Sequence, residues 1–524
     1  FLNYISDVLP ELGVDKVKQT TFIDLAYKLS GVKLKLASSD EKLMKFICSS
    51  KETKGIENKE LLLLRQVSQF KGSLEFRDII DKYIAFIEQN FIPKEDFKLE
   101  EYTILTSLEI KRIFLTDLSY LPIYKRSQEI KKVLTNKLKR DKVSIIKSVE
   151  DYYDKRIDIL INNIKNPNDR RGKTVALINA RDQKVKSLNK AAQTAVSKYL
   201  SILPKKDIIY YFRELTVNTL NIQKHSAVKF STQFISYLCS YNAELLNKKT
   251  IEYEDLTVLI YLKHKIFGFN EKIGIKYAVI DEAQDFSLFQ IYALKEILNT
   301  ELFTILGDLA QGIHSYRGIQ NWNDVVEKVF TSGRCKYLTL EQSYRTTIEI
   351  MNAANAVLKM SKIPGLVLAK PVVRHGDKPG LHNFDTKNNL ILSIENKIQK
   401  LVNNNYNTIA IICKTSEECR IIKKLMDKRK NISTKQLSTD DINYEGGIII
   451  VPSYLAKGLE FDAVIICTVE ADYLLNELDL KLLYVAMTRA LHSLDIMSVG
   501  KTMSLLEQMP QSLCNKFPDN DSMC

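Results

Sequence analysis

From residue 71 to about 245 apolar residues recur at helical spacing, and from about 276 short apolar runs alternate with helical stretches. Ile157, Leu160, Ile161 and Ile164 follow the i, i+3, i+4, i+7 rule, as do Val185, Leu188, Ala192, Ala195, Val196 and Tyr199. The two stretches meet at Asn166-Pro167-Asn168-Asp169, a turn sequence, so an antiparallel helical hairpin with Arg170 and Arg171 at its tip is expected. At 1.5 Å per residue it would be an arm up to roughly 60 Å long. Further on, Tyr277–Ile280, Phe303–Leu306, Thr408–Cys413, Gly447–Val451, Ala463–Cys467 and Leu494–Met497 read as buried strands of a parallel sheet, or of two. Residues 1–70 read as mixed α/β, and Pro510 onward as a frayed tail.

Charge sharpens the helical part of this picture. Residues 125–200 carry 20 Lys or Arg against 8 Asp or Glu, a surplus of 12 in a chain whose net charge is +13. So lopsided a block favours a polyanionic or polymerase-like partner over a solvated face that binds nothing. Composition excludes more than it assigns. At 524 residues and 45% hydrophobic the chain is globular, with room for several domains and no apolar run able to span a bilayer. Its eight cysteines form no C-x-x-C pair, which argues against a zinc ribbon or a disulfide framework and suits a reducing cytoplasm. Beyond His314, the histidines at 225, 264, 375, 382 and 492 show no ligand spacing. The chain opens Phe1-Leu2-Asn3-Tyr4 without an initiator Met, so the natural start is expected upstream.

Candidate chemistry gathers where predicted strands end. Tyr277-Ala278-Val279-Ile280 runs into Asp281-Glu282-Ala283-Gln284-Asp285, adjacent carboxylates at the carboxyl end of a strand, where open α/β sheets hold ligands. One suits Mg²⁺ through its water shell, and the next is placed to take a proton from an attacking water. The following strand ends in Gly307-Asp308-Leu309-Ala310-Gln311, continuing to His314-Ser315-Tyr316-Arg317-Gly318. Gln311 can hydrogen-bond a phosphate or a water, and Tyr316 beside Arg317 offers a flat face and a cation for a single strand. Ser343-Tyr344-Arg345 pairs an aromatic with a fork for a phosphate. Tyr454-Leu455-Ala456-Lys457-Gly458-Leu459-Glu460-Phe461-Asp462 joins two strands, and Arg489 sits on an otherwise apolar helix, which makes it a candidate arginine finger.

Taken in order, D-E-A-Q-D, G-D-x-x-Q…Y-R-G, S-Y-R, A-K-G-L-E-F-D and L-Y-V-A-x-T-R-A resemble motifs II to VI of superfamily 1 helicases of the UvrD/Rep kind. The phrasing of 307–318 and 454–462, and the opening Phe1–Ile5 and Leu9–Gly13, look closest to HelD, the RNA-polymerase-associated branch. The resemblance implies an α/β fold of two RecA-like parallel-sheet domains with a large all-helical insertion. On that scheme residues 1–70 and 246–335 form the first domain, 71–245 the insertion, 336–510 the second domain and 511–524 a tail. It implies ATP and Mg²⁺ as cofactors, DNA and RNA polymerase as partners, and no membrane. It also implies Asp281 for the metal, Glu282 as base, Gln311 as γ-phosphate sensor, and Arg345 and Arg489 as charge neutralisers. Tyr344 would stack on adenine, with Gly458 and Glu460 near the nucleotide. Tyr316, Arg317, Tyr454 and Lys457 would lie on the nucleic-acid path, with Arg170 and Arg171 on the arm.

Departures qualify the resemblance. The sequence has no G-x-x-x-x-G-K-[ST] loop; Gly172-Lys173-Thr174 is a decoy, with Pro167 five residues before Gly172 and no strand ahead of it. In the family that loop lies upstream of the point where this sequence begins, so little ATPase is expected of this chain alone. Tyr454 stands where UvrD-like helicases have His. Only about a hundred residues separate Tyr344 from Pro452, too few for the large 2B insertion of UvrD. Strand separation is therefore a weaker expectation than nucleotide hydrolysis.

Overall fold

The computed structural model describes residues 17–52, 58–271, 273–331, 333–361, 365–438, 446–500, 504–507 and 509–517. The HelD-like opening Phe1–Gly13 lies outside them, as do residues 518–524. The chain forms two compact units: residues 1–37 with 75–274, and residues 38–74 with 275–524. The expected class, α/β with parallel sheets and a large helical insertion, is what the chain adopts. Residues 17–71 are more helical than their mixed pattern implied: Phe22–Ser30, Ser39–Glu52 and Lys59–Lys71 are helices around one two-residue strand.

In the first unit that strand, β1 (Lys35–Leu36), pairs in parallel with β4 (Thr250–Ile251), while β2 (Phe97–Leu99) and β3 (Tyr102–Leu105) form an antiparallel hairpin. The expected arm is present as helices Ile123–Asn163 and Pro167–Ser201, of 41 and 35 residues. Its turn is tighter than the sequence suggested. Asn166 caps the second helix by accepting the Asn168 N–H at 3.0 Å, and Pro167 already occupies the first helical position. At its base the arm is anchored. Buried Arg126 donates to the carbonyls of Leu121, Phe114 and Ser119 and pairs with Glu88. Tyr199 packs edge-on against Phe97 of β2, and Lys184 bridges Glu100 and Glu101. Between Val149 and Leu188 no residue is buried, because two helices alone can cover only a thin seam. Arg170 and Arg171 lie in that exposed distal half.

Among its described residues the second unit holds two unequal sheets and a further short parallel pair. The larger has seven strands in the order β11-β12-β10-β13-β14-β9-β15, every neighbouring pair parallel. Its members are β9 (Gly380–Phe384), β10 (Thr408–Cys413), β11 (Lys435–Gln436), β12 (Gly447–Pro452), β13 (Phe461–Thr468), β14 (Ala490–Val499) and β15 (Asn515–Phe517). Helices Lys387–Asn403 and Ser416–Arg429 pack Leu390, Ile394, Cys419 and Ile422 against Ile411, Ile465 and Met497. The opposite face is buried too, Ala410, Ile412, Val464 and Ile466 being at most 1% exposed, so the central strands read as unbroken apolar runs. β15 corrects the expected frayed tail, since Asn515–Phe517 pairs with the β9 edge and Phe517 stacks on His382 at 4.6 Å.

The smaller sheet is β5 (Ala278–Ile280) paired in parallel with β6 (Phe303–Ile305). Helix Leu288–Leu298 brings Ile291 against Leu309, Ile319, Val325 and Phe330 on one side. Here the expectation of buried strands needs correction. Among the described residues the other face is left open, with Val279 61% exposed while Ile280 is buried. The further short parallel pair joins β7 (Gln342–Ser343) to β8 (Lys370–Pro371).

Candidate nucleotide site

The site is built where β5 and β6 end, inside the second unit. Leu306 donates its N–H to the Ile280 carbonyl and Ala283 to the Leu306 carbonyl, both at 2.8 Å, so the two strand ends are tied together. Asp281 and Glu282 follow β5 immediately. Glu282 has φ +53°, the left-handed region, which costs a non-glycine residue about 1–2 kcal/mol. That conformation turns the chain into the short 3₁₀ turn Ala283–Asp285 and presents both carboxylates to solvent. The Asp281 carboxylate accepts the Glu282 N–H at 2.9 Å, which steadies the turn.

A chain of hydrogen bonds leads away from Glu282. Buried Gln284 donates from Nε2 to Glu282 Oε2 at 2.6 Å, and its Oε1 accepts the Asp308 N–H at 3.1 Å. Gly318 has to be glycine here, because a Cβ would stand 2.3 Å from the Gln284 carbonyl oxygen. Asp308 caps the next turn through the Ala310 N–H at 2.9 Å and accepts Gln311 Nε2 at 2.9 Å. Burial, with Glu282 adding to it, pushes the Asp308 carboxyl above the usual range against the pull of those donors and of Lys457. Because Asp308 takes the amide nitrogen, Gln311 turns its oxygen to Arg489, whose guanidinium donates at 3.2 Å.

Arg489 is 1% exposed and is satisfied by the carbonyls of Val485 and Leu459 and by the Thr488 hydroxyl. Burial first, and the Arg345 charge second, lower it to about 10 against the attraction of Glu460 and Glu282. It is therefore a cation at neutral pH. Arg345 forms an ion pair with Glu460, and neighbouring Tyr344 is 65% exposed with its hydroxyl on Gln342. Gly458 adopts φ +82°, which permits the sharp passage between β12 and β13. Lys457 places its ammonium 2.7 Å from Asp285 Oδ2 and 3.1 Å from Glu282 Oε2.

Glu282, Gln311, Arg345, Glu460, Lys457 and Arg489 thus act on one another within one site, with Asp281, Tyr344 and Gly458 adjacent in sequence to members of it. The expected nucleic-acid residues fare differently. Tyr316 is 3% exposed with its ring 4.9 Å from Phe46, and Arg317 is 8% exposed and donates to Ser39. Neither presents a face on which a base could stack. Tyr454 is also buried, its hydroxyl engaged with Ser416, and Lys457 serves the carboxylates of the site. Arg170 and Arg171 belong to the other unit. Sequence reasoning assigned nothing to Gln284, Asp285 or Asp308, although all three lie inside the motifs it singled out.

Residues 122–325 match the UvrD/REP helicase N-terminal domain, and residues 338–444 and 447–497 match UvrD-like helicase C-terminal domains. A probable DNA helicase II homolog from Mycoplasma capricolum is 26% identical over 44% of this chain and 33% of its own length. The ATP-dependent DNA helicase Rep of Buchnera aphidicola (from Acyrthosiphon pisum) is 25% identical over 55% of this chain and 41% of its own. Rep of Escherichia coli is 31% identical over 22% and 18%. The chain thus spans about a third to two-fifths of the length of the first two of these curated relatives. A solved C-terminal domain of a possible DNA helicase from Lactobacillus plantarun WCFS1 is 28% identical, covering 33% of this chain and 98% of that one, with a TM-score of 0.27. Residues 122–325 are thus similar to the N-terminal domain of UvrD/REP helicases, and residues 338–444 and 447–497 to the C-terminal domains of UvrD-like helicases.

Proposed function

We propose that this chain belongs to an ATP-driven DNA helicase or translocase motor, with hydrolysis centred on Glu282. The observation that supports it most is the convergence of Glu282, Gln311 and Arg489, from three separate motifs, on one hydrogen-bonded cluster. Glu282 would take a proton from the attacking water as the bond from the γ-phosphorus to its bridging oxygen breaks, leaving ADP and phosphate. Arg489 and Arg345 would neutralise the charge that develops, and Gln311 would register whether the γ-phosphate is present. Tyr344, exposed and flat, would stack on adenine, with Gly458 and Glu460 close by.

The residues fit ATP in part and Mg²⁺ in the usual way. Among the described residues no three His, Cys, Asp or Glu side chains are grouped to hold a metal. Mg²⁺ typically keeps several waters and takes one or two carboxylates plus phosphates, a role open to Asp281. When bound it would offset phosphate charge. A cradle of backbone N–H groups for the phosphates is not supplied by any sequence motif of this chain.

A second reading, a remodeller of RNA polymerase, rests on the HelD-like phrasing of 307–318 and 454–462 and on the arm with its exposed distal half. The two are separated by assaying DNA-stimulated ATP hydrolysis and polymerase capture on the chain extended through a phosphate loop. Stimulation by single-stranded DNA with no capture supports the motor, and capture without any DNA requirement supports the remodeller. No described helix is long and apolar enough to cross a membrane.

A further inference from the structure

The ammonium of Lys457 lies between the carboxylates of Glu282 and Asp285, on the residue that serves as general base in the function proposed above. The same oxygen of Glu282, Oε2, also accepts the Gln284 amide at 2.6 Å. Two donors on Oε2, one of them charged, fix how the carboxylate is turned and leave Oε1 as the oxygen open to water. Lys457 is 12% exposed and Asp285 21%, against 53% for Glu282, so the lysine and Asp285 form the sheltered end of this triad. Asp285 makes the shorter contact, and its other oxygen, Oδ1, is buried with no hydrogen-bond partner. The ammonium can therefore leave Glu282 without abandoning Asp285, by moving to the oxygen that still lacks a donor.

We propose that Lys457 is a restraint on Glu282, a positioning residue that holds the Oε2 side of the base until a phosphate oxyanion draws the ammonium off it, with Asp285 still within reach. The oxyanion can belong to the nucleotide or to a nucleic-acid strand, and the assay tells the two apart. This inference rests on Glu282 being the base.

The test is steady-state ATP hydrolysis by the chain extended through a phosphate loop, comparing wild type with Lys457→Met, Lys457→Arg, Asp285→Asn and Glu282→Gln. Each is assayed over a range of ATP with and without a thymidine oligonucleotide. If a strand phosphate releases the base, Lys457→Met raises the DNA-free kcat on the order of tenfold, about 1.4 kcal/mol of lost restraint, and flattens the response to the oligonucleotide. If the nucleotide's own phosphate does so, the change appears in KM for ATP and the oligonucleotide response is kept. Under either source Lys457→Arg restores wild-type behaviour, and Asp285→Asn, which leaves the ammonium only Glu282, lowers the DNA-free rate. A Lys457→Met enzyme that folds, with kcat and KM unchanged or with kcat reduced, overturns the restraint. Should Lys457→Met fail to fold, a DNA-free rate in Asp285→Asn that is unchanged or raised overturns it instead. Activity that survives Glu282→Gln overturns the assignment of the base, and the restraint with it.

Discussion

Two parallel sheets in the second unit are built from similar apolar runs and end differently. In the seven-stranded sheet Ile411 and Ile465 are fully buried between helices, whereas in the two-stranded sheet Val279 stands 61% exposed beside buried Ile280. The difference lies in the neighbours, since a central strand with partners on both edges and helices on both faces loses nearly all its surface. The site draws on both. Its carboxylates hang from the thin sheet, while Arg489 and Lys457 reach it from the elements around β12, β13 and β14. The exposed carboxylates sit on the sparsely covered part, and the elements of the broad sheet supply the well-fixed cations.

The comparison breaks most readily at the broad sheet's buried ion pair. Lys414 and Asp479 are each 1% exposed and 2.8 Å apart, and Asp479 also accepts the Leu474 N–H. Asp479→Asn takes the carboxylate away from a buried ammonium, whose contacts with the Asp472 carbonyl and the Tyr473 ring carry no full negative charge, so chemical denaturation should show a loss of about 3–5 kcal/mol. A loss below 1 kcal/mol would mean that the interior is far wetter than its burial suggests. Next is the apolar contrast itself. Ile465→Ala should cost about 2–5 kcal/mol through the cavity it leaves, while Val279→Ala should stay within about 0.5 kcal/mol. Equal effects in urea melts would erase the distinction between the sheets.

A subtler contrast concerns acid. Asp495 is buried, which alone would raise its pKa, yet the His382 hydrogen bond and the Lys397 ion pair at 2.7 Å outweigh burial and hold it low. Asp308 in the thin-sheet site is instead raised, chiefly by burial. The signs therefore oppose. Asp495 contributes stability above the ordinary carboxylate value and loses it as pH falls through its depressed pKa. Asp308 favours folding below the ordinary value and loses that contribution as pH rises through its elevated one. Asp495→Asn should thus cost more at pH 7 than in acid, and Asp308→Asn more in acid than at pH 7, measured by denaturation at each pH. The smallest effect is at Tyr344. With its ring 65% exposed, Tyr344→Ala should leave stability within about 0.5 kcal/mol while raising KM for ATP.

The same contrast sets what could be read from the sequence. Runs such as Ile409–Cys413 and Val464–Cys467 announce buried parallel strands, which were legible; acids and amides just past a strand singled out Glu282 and Gln311, and a lone charge in an apolar stretch singled out Arg489, and the structure links the three in one chain of hydrogen bonds. Exposure of Val279 was not, because a local run does not say how many neighbours its strand will find. Nor was the burial of Tyr316, whose ring is taken by Phe46, some 270 residues earlier in the chain. β15 eluded the pattern because backbone pairing to an edge asks little of its side chains. Lys457 read as a strand contact since its partners, Glu282 and Asp285, lie 175 and 172 positions away.

The most direct measurement is the ATPase rate, with and without single-stranded DNA, on this chain and on a version extended upstream through a phosphate loop, each with and without Glu282→Gln. The account predicts hydrolysis only in the extended protein, its stimulation by DNA, and its loss in Glu282→Gln by a factor on the order of 10²–10⁴. Hydrolysis by the chain alone, or an extended protein indifferent to Glu282→Gln, would contradict it.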